Sequence, residues 1–224
     1  MGRDNQPKHR QQKQLERKLA QRASHDRILI VSEGSKTEPL YFEEIRNTYR
    51  LHSANVAVQP SGWGTDPKNV VKYACHLFKN GDAQKRIRPR SFEKVFAVFD
   101  RDDHTNYFEA LSIANATNNS LLNDAKQRIE FHAIASIPCF ELWLLLHFED
   151  IQHWLHRDEV FQRLKQHMAS YSKGRGQCFE ETRDQLEIAF ERARRLSQDG
   201  SPFIDTIPYT GIHELVELLV DLND

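Results

Sequence analysis

Two short apolar runs, each ending abruptly in acidic residues, restrict the folds open to this chain more than any other feature. Ile28-Leu29-Ile30-Val31 is four β-prone residues in a row, the pattern of a strand buried on both faces, and it stops at the polar turn Ser32-Glu33-Gly34-Ser35. Val95-Phe96-Ala97-Val98-Phe99 repeats the pattern and runs into Asp100-Arg101-Asp102-Asp103-His104. A strand buried on both faces needs helices above and below, so the two runs predict a parallel sheet in an α/β fold. After the first run, Leu40, Tyr41, Ile45 and Tyr49 recur at helical spacing, with Pro39 in the first turn, where a missing N–H costs nothing. Strand, turn and helix together put Glu33 at the carboxyl end of a parallel strand, where open α/β sheets bind ligands. A solvated loop acid is the competing reading of Glu33 taken alone.

In an extended chain, Asp100 and Asp102 point to one side of the strand and Arg101 and Asp103 to the other. Two carboxylates on one face can hold a hard cation, because Mg²⁺ takes oxygen ligands and keeps several waters beside one or two carboxylates and a substrate phosphate. Left bare about 4 Å apart, such a pair repels by about 4 kcal/mol at an effective dielectric near 20, so a cation would relieve strain already present.

Glu33-Gly34-x-x-Thr37-Glu38-Pro39-x-Tyr41-Phe42 after one strand, Asp100-x-Asp102 after another, and then Ser136-x-Pro138-x-Phe140-Glu141-x-Trp143-x-Leu145-Leu146-x-Phe148 resemble, in this order, the RloB-like family. The likeness runs from Arg27 to the C-terminus, and the family is similar to the wider Toprim group of topoisomerases, DnaG-type primases and OLD-type nucleases. The resemblance implies that Glu33 is the general acid or base and that Asp100 and Asp102 carry Mg²⁺ or Mn²⁺. It also implies phosphodiester cleavage of DNA or RNA, tRNA included, a place among bacterial restriction and phage-defence proteins, and an ATPase partner. Glu141 follows a further strand and is the candidate third metal carboxylate beside Glu33; a helix N-terminus favouring an anion explains it equally well.

A chain of 224 residues with 39% hydrophobic content suits one domain, or one with an appended lobe. The expected division is a basic arm over residues 1–26, a Toprim-like α/β domain of about four mainly parallel strands over 27–149, and a helical extension over 150–224 packed on the same domain. The arm carries Arg3, Lys8, Arg10, Lys13, Arg17, Lys18 and Arg22 among glutamines with almost no apolar residue. It reads either as a phosphate-backbone contact or as a solubilising or partner-docking tail. The net charge of −1 neither marks nor excludes a nucleic-acid binder. Cys75, Cys139 and Cys178 lack metal spacing and cannot all pair, no apolar run reaches the length of a membrane span, and no signal-peptide core is present, so a soluble cytoplasmic protein is expected.

Val56 to Val58 reads as a strand, Asp66 as the cap of a helix from Lys68 to about Lys79, and Phe131 to Ser136 as a fourth strand leading into an apolar helix through Phe148. Trp63 reads as a loop anchor before a base-stacking platform, and the basic stretch from Gly81 to Arg90 as a solvated connection. A helix interrupted at Asn118 to Ser120 is expected over Tyr107 to Gln127, and further helices over Val160 to Met168, Phe179 to Leu196 and Gly211 to Leu222. Lys36 and the loop residues Lys173 and Arg175 are the candidate phosphate contacts. No P-loop pattern is present. Competing functions are a non-catalytic sensor or adapter subunit binding nucleotide or nucleic acid, and a metal-dependent phosphotransferase, phosphatase or nucleotide-sugar transferase. A dehalogenase-like phosphatase would place Thr or Val where His104 stands.

Overall fold

The computed structural model describes residues 26–53, 55–204 and 206–222. All of the expected basic arm except Asp26 lies outside the described residues. Among the described residues, five strands form one sheet: β1 (Ile28–Ser32), β2 (Val56–Pro60), β3 (Lys94–Asp100), β4 (Glu130–Ile137) and β5 (Tyr209–Thr210), in the order β2-β1-β3-β4-β5. The first four are mutually parallel, and β5 runs antiparallel to the end of β4, with Thr210 opposite Ser136. Between and after them lie α1 (Thr37–Thr48), α2 (Pro67–Asn80), α3 (Tyr107–Thr117), α4 (Glu141–Leu146), α5 (Arg157–His167), α6 (Cys178–Thr182), α7 (Leu186–Asp199) and α8 (Ile212–Asp221).

The alternation of side chains along β1 divides the core in two. Ile28 and Ile30 pack with Tyr41, Phe42 and Ile45 of α1 on one face of the sheet. Leu29 and Val31 pack on the other with Val70, Ala74 and Leu77 of α2 and Ala110 and Leu111 of α3. Residues beyond 150 join the first of these cores, through Leu164 of α5, Phe190 of α7 and Leu215 of α8, and they add β5 to the sheet. The buried Trp143 of α4 ties this face together by donating its indole N–H to the Tyr41 hydroxyl at 2.8 Å.

From β1 the chain leaves by α1 to β2 on one side, and from β2 it returns by α2 to β3 on the other side of β1. The connections therefore diverge between β1 and β3, and the carboxyl ends of those two strands flank the crevice in which open α/β sheets receive ligands.

The four expected parallel strands are present, and β5 is added to them. Asp66 caps α2 as expected, accepting the Asn69 N–H at 3.1 Å. The helix expected over Tyr107 to Gln127 stops at Thr117, because the Asn118 side chain accepts the Phe131 N–H at 3.0 Å and Asn119 turns to a φ of 56°. The expected helix over Phe179 to Leu196 is broken by a 3₁₀ turn at Arg183–Gln185. Just before the break, the buried Thr182 hydroxyl donates back to the Cys178 carbonyl at 2.7 Å, a bond that bends helices. Among the described residues, no helix is long and apolar enough to cross a membrane.

Candidate active site at the carboxyl ends of β1 and β3

Glu33 is the first residue beyond β1, and its N–H still donates to the Val98 carbonyl of β3 at 2.8 Å. Its side chain closes the gap between the two strands: Oε2 accepts the Asp100 N–H at 3.0 Å, and Oε1 lies 3.2 Å from His104 Nε2. The solvated-loop reading of Glu33 is therefore replaced by a carboxylate that bridges two strand ends. Burial raises its pKa, against the lowering effect of the Asp100 N–H and of His104.

Asp100 ends β3 and is 8% exposed. Burial pushes its carboxyl well above the ordinary range, and the charges of Glu38, Glu141, Glu33 and Asp102 push it further. Five carboxyl groups thus bear on one crevice.

Asp102 arrives there by a different route from the one its spacing implies. The strand stops at Asp100, and the chain turns at once: the Arg101 N–H donates to the Ser136 carbonyl at 2.8 Å, the Asp102 N–H to the Pro138 carbonyl at 3.2 Å, and Asp102 takes a φ of 33°. Extended-chain alternation does not apply beyond Asp100. One oxygen of Asp102 is held by Arg157 Nη1 at 2.6 Å; the other, Oδ1, is buried with no hydrogen-bond partner. Burial raises the Asp102 carboxyl, with Arg157, Lys173 and His104 opposing.

Glu141, the first residue of α4, is 2% exposed. It accepts the Tyr171 hydroxyl at 2.9 Å and faces Lys173 Nζ at 3.6 Å. The loop that carries Tyr171 and Lys173 is docked across the start of α1, where the Gly174 N–H donates to Thr37 Oγ1 at 3.2 Å. Gly174 has a φ of 81°, and a Cβ on it would stand 2.6 Å from Lys36 Cδ, so a larger residue fits neither the backbone nor the space. Of the three candidate phosphate contacts, Lys173 faces the acids and Lys36 packs its stem against the loop. Arg175 is held by Glu181 at 2.7 Å and by Ser170.

Glu38 is the site residue that spacing does not reveal. It sits in the first turn of α1, is 8% exposed, and its pKa is pushed up to about 7, chiefly by burial, with Glu141 and Glu33 adding to the rise. Gly34 makes room for it: a Cβ at position 34 would lie 2.0 Å from Glu38 Oε2. The signal available in the sequence is a Glu in the first turn of a helix that follows an acidic strand end. That position is ordinarily assigned to the helix dipole. His104, Arg157 and Tyr171 also reach the crevice without any signal from spacing.

Among the described residues, no group of three or more His, Cys, Asp and Glu side chains stands ready-made around a metal position. The donors are nonetheless of the kind a hard cation takes. All are carboxylate oxygens, Asp102 Oδ1 is buried without a partner, and the mutual repulsion at Asp100 is of the sort a cation removes. One or two of these carboxylates, completed by water and phosphate, make a Mg²⁺ shell without a closed protein cage.

The family model described as RloB-like protein matches residues 28–219. The chain belongs to the RloB-like family. The match spans all five strands and every carboxylate named above, so the crevice is part of the RloB-like unit itself. No curated protein and no solved structure matches this RloB-like chain.

Proposed function

We propose that this RloB-like protein is a Mg²⁺- or Mn²⁺-dependent nuclease of Toprim type that cleaves phosphodiester bonds in bacterial phage defence, working with an ATPase partner. The observation that carries the reading is the convergence of Glu33, Glu38, Asp100, Asp102 and Glu141 on the crevice between β1 and β3, with Asp100 repelled by the other four. Asp100 and Asp102 would hold the cation, with Glu38 and Glu141 as the further carboxylates within its reach. When bound, Mg²⁺ neutralises phosphate charge and makes a water more acidic.

The chain's own groups account for the remaining work. Glu33, fixed by the Asp100 N–H and by His104, holds a proton acceptor at Oε1 where an attacking water would release its proton. Its elevated pKa, caused by burial, brings it nearer the neutral range in which a general base works best. Lys173, half-exposed and turned toward the acids, offers a charge-assisted contact to a phosphate oxygen. Arg157 orients Asp102 through the 2.6 Å bond.

A second reading, a sensor or adapter subunit that binds nucleotide without cutting, draws support from the pairing of Asp102 with Arg157 and of Glu141 with Tyr171 and Lys173. Incubation of the purified chain with labelled DNA, RNA and tRNA, in Mg²⁺, Mn²⁺ or chelator and with or without a candidate ATPase, separates the two. Cleavage that requires the cation and is lost in Asp100→Asn is expected. Absence of cation-dependent cleavage under every condition would leave the sensor reading, and full activity in Asp100→Asn would take Asp100 out of the cation site.

A further inference from the structure

Asp102 also lines a cavity of about 190 Å³ walled by Trp154, His156, Ile137 and Pro138, with Asp103 at its edge. Asp102 and Arg157 belong both to this cavity and to the acidic crevice, so whatever fills the one abuts the other. The volume is below the roughly 300–1,000 Å³ of a pocket for a whole drug-sized ligand, and it suits a single planar ring system.

Trp154 is 50% exposed, so a face of its ring is open to a stacking partner. Its immediate surroundings are firm. Ile151 and Leu155, on either side in sequence, are each 1% exposed and anchored in the core, and the Trp154 and His156 rings stand 6.1 Å apart at 57°. The ring is therefore held ready at the edge of the cavity, so a partner that stacks on it loses little to ordering the protein. Trp63, by contrast, has two closer rings against it, Tyr73 at 5.5 Å and His76 at 4.9 Å.

We propose that this cavity is a nucleobase pocket, in which Trp154 stacks on one unpaired base of a single-stranded or looped substrate and so seats the adjoining phosphodiester at the carboxylates. The inference rests on the nuclease reading of those carboxylates for the bound polymer's fate, and on the cavity itself for the base. Every base has a π-face, and a base inside a duplex is unavailable to stack on a side chain, so the pocket selects for unpaired strand before it selects for sequence. Arg101 strengthens the floor: its guanidinium lies 5.3 Å from the Tyr107 ring and donates to the Asp102 and His104 carbonyls at 3.0 Å, which fixes the loop between the pocket and β3.

The test is equilibrium binding of a short single-stranded oligonucleotide, and of a fully abasic strand of the same length, to the full-length Asp100→Asn chain in chelator, with Trp154 and with Trp154→Ala. Stacking of one base is lost on alanine substitution with a weakening of about 5- to 150-fold. The expected result is that loss for the base-bearing strand, no change for the abasic strand, and near-complete recovery with Trp154→Phe. Trp154 is half in water, so the alanine variant should melt with the parent, and the phenylalanine variant guards against a distorted loop. Equal weakening of both strands, no weakening of either, or failure of the oligonucleotide to bind overturns the pocket. Cleavage is scored separately on the chain carrying Asp100, with and without the candidate ATPase. Cation-dependent cutting without a Trp154 effect overturns the pocket alone, and a Trp154 effect without cutting overturns the nuclease reading alone.

Discussion

Glu38→Gln should stabilise the protein at alkaline pH and do little at acidic pH. The Glu38 carboxyl is buried beside Glu33, Glu141 and Asp100, and its pKa rises from 4.5 to about 7 on folding, chiefly through that burial. Between those values the folded chain holds a proton that the unfolded chain has released. The stability associated with that proton is complete below the unfolded pKa and is lost as pH rises through the folded one. At 1.36 kcal/mol per unit, the ionised carboxylate costs the folded state about 3 kcal/mol above pH 8 relative to strongly acidic solution. Glutamine keeps the shape and never ionises, so it removes this cost. In a chain of this size, about 3 kcal/mol corresponds to a rise in melting temperature of roughly 6–12 °C. The assay is a pair of metal-free thermal or urea melts of wild type and Glu38→Gln, at pH 5 and pH 8.5. A large gain at pH 8.5 that shrinks to less than about 1 kcal/mol at pH 5 is expected. The same shift at both pH values, or a loss at pH 8.5, would refute the claim that the carboxylate is held against its own charge.

Adding Mg²⁺ or Mn²⁺ should raise the melting temperature of the wild type, by about 2.7 kcal/mol of added stability at 100 times the dissociation constant, and Asp100→Asn with Asp102→Asn should abolish the rise; equal shifts in both proteins would remove the metal site. Gly34→Ala sets a methyl group against the end of the flexible Glu38 side chain, so stability should change by less than about 1 kcal/mol while Mn²⁺ affinity falls, and an unchanged Mn²⁺ titration would take Glu38 out of the cation's surroundings. Deleting residues 1–23, which contain Arg3 through Arg22 of the basic arm, should weaken nucleic-acid binding and flatten its salt dependence by roughly 0.9 in logarithmic slope per lost duplex-phosphate contact; an unchanged slope would assign the arm to solubility or protein docking.

The parts of this fold that can be read from sequence are those set by local pattern. β1 and β3 stand out because they are buried on both faces and so need no alternation to be seen, and Glu33 and Asp100 stand out because they sit where those runs end. β5 is two residues long, and its place depends on Thr210 meeting Ser136 across 74 positions, with their hydroxyl oxygens 3.1 Å apart. Separation in sequence also hides the partners of the acids: Arg157 lies 55 positions from Asp102, and Tyr171 lies 30 from Glu141. Strand alternation puts Asp102 at the crevice for a reason the backbone does not follow, since its position comes from the turn at Arg101 and Asp102 and from Arg157. Glu38 was obscured because a helix N-terminus is a sufficient home for a carboxylate, and only the contact with Gly34 and the shared burial with Asp100 give it another one.

The most direct measurement is single-turnover cleavage by Glu33→Gln beside a Mg²⁺ titration of the same protein. Glutamine preserves the shape of the side chain that bridges Asp100 and His104 but cannot take a proton. The expected rate is lower by roughly 10² to 10⁴, the range for losing a general acid or base, with Mg²⁺ affinity nearly unchanged. A fully active Glu33→Gln, or a Mg²⁺ affinity that collapses together with the rate, would contradict that role.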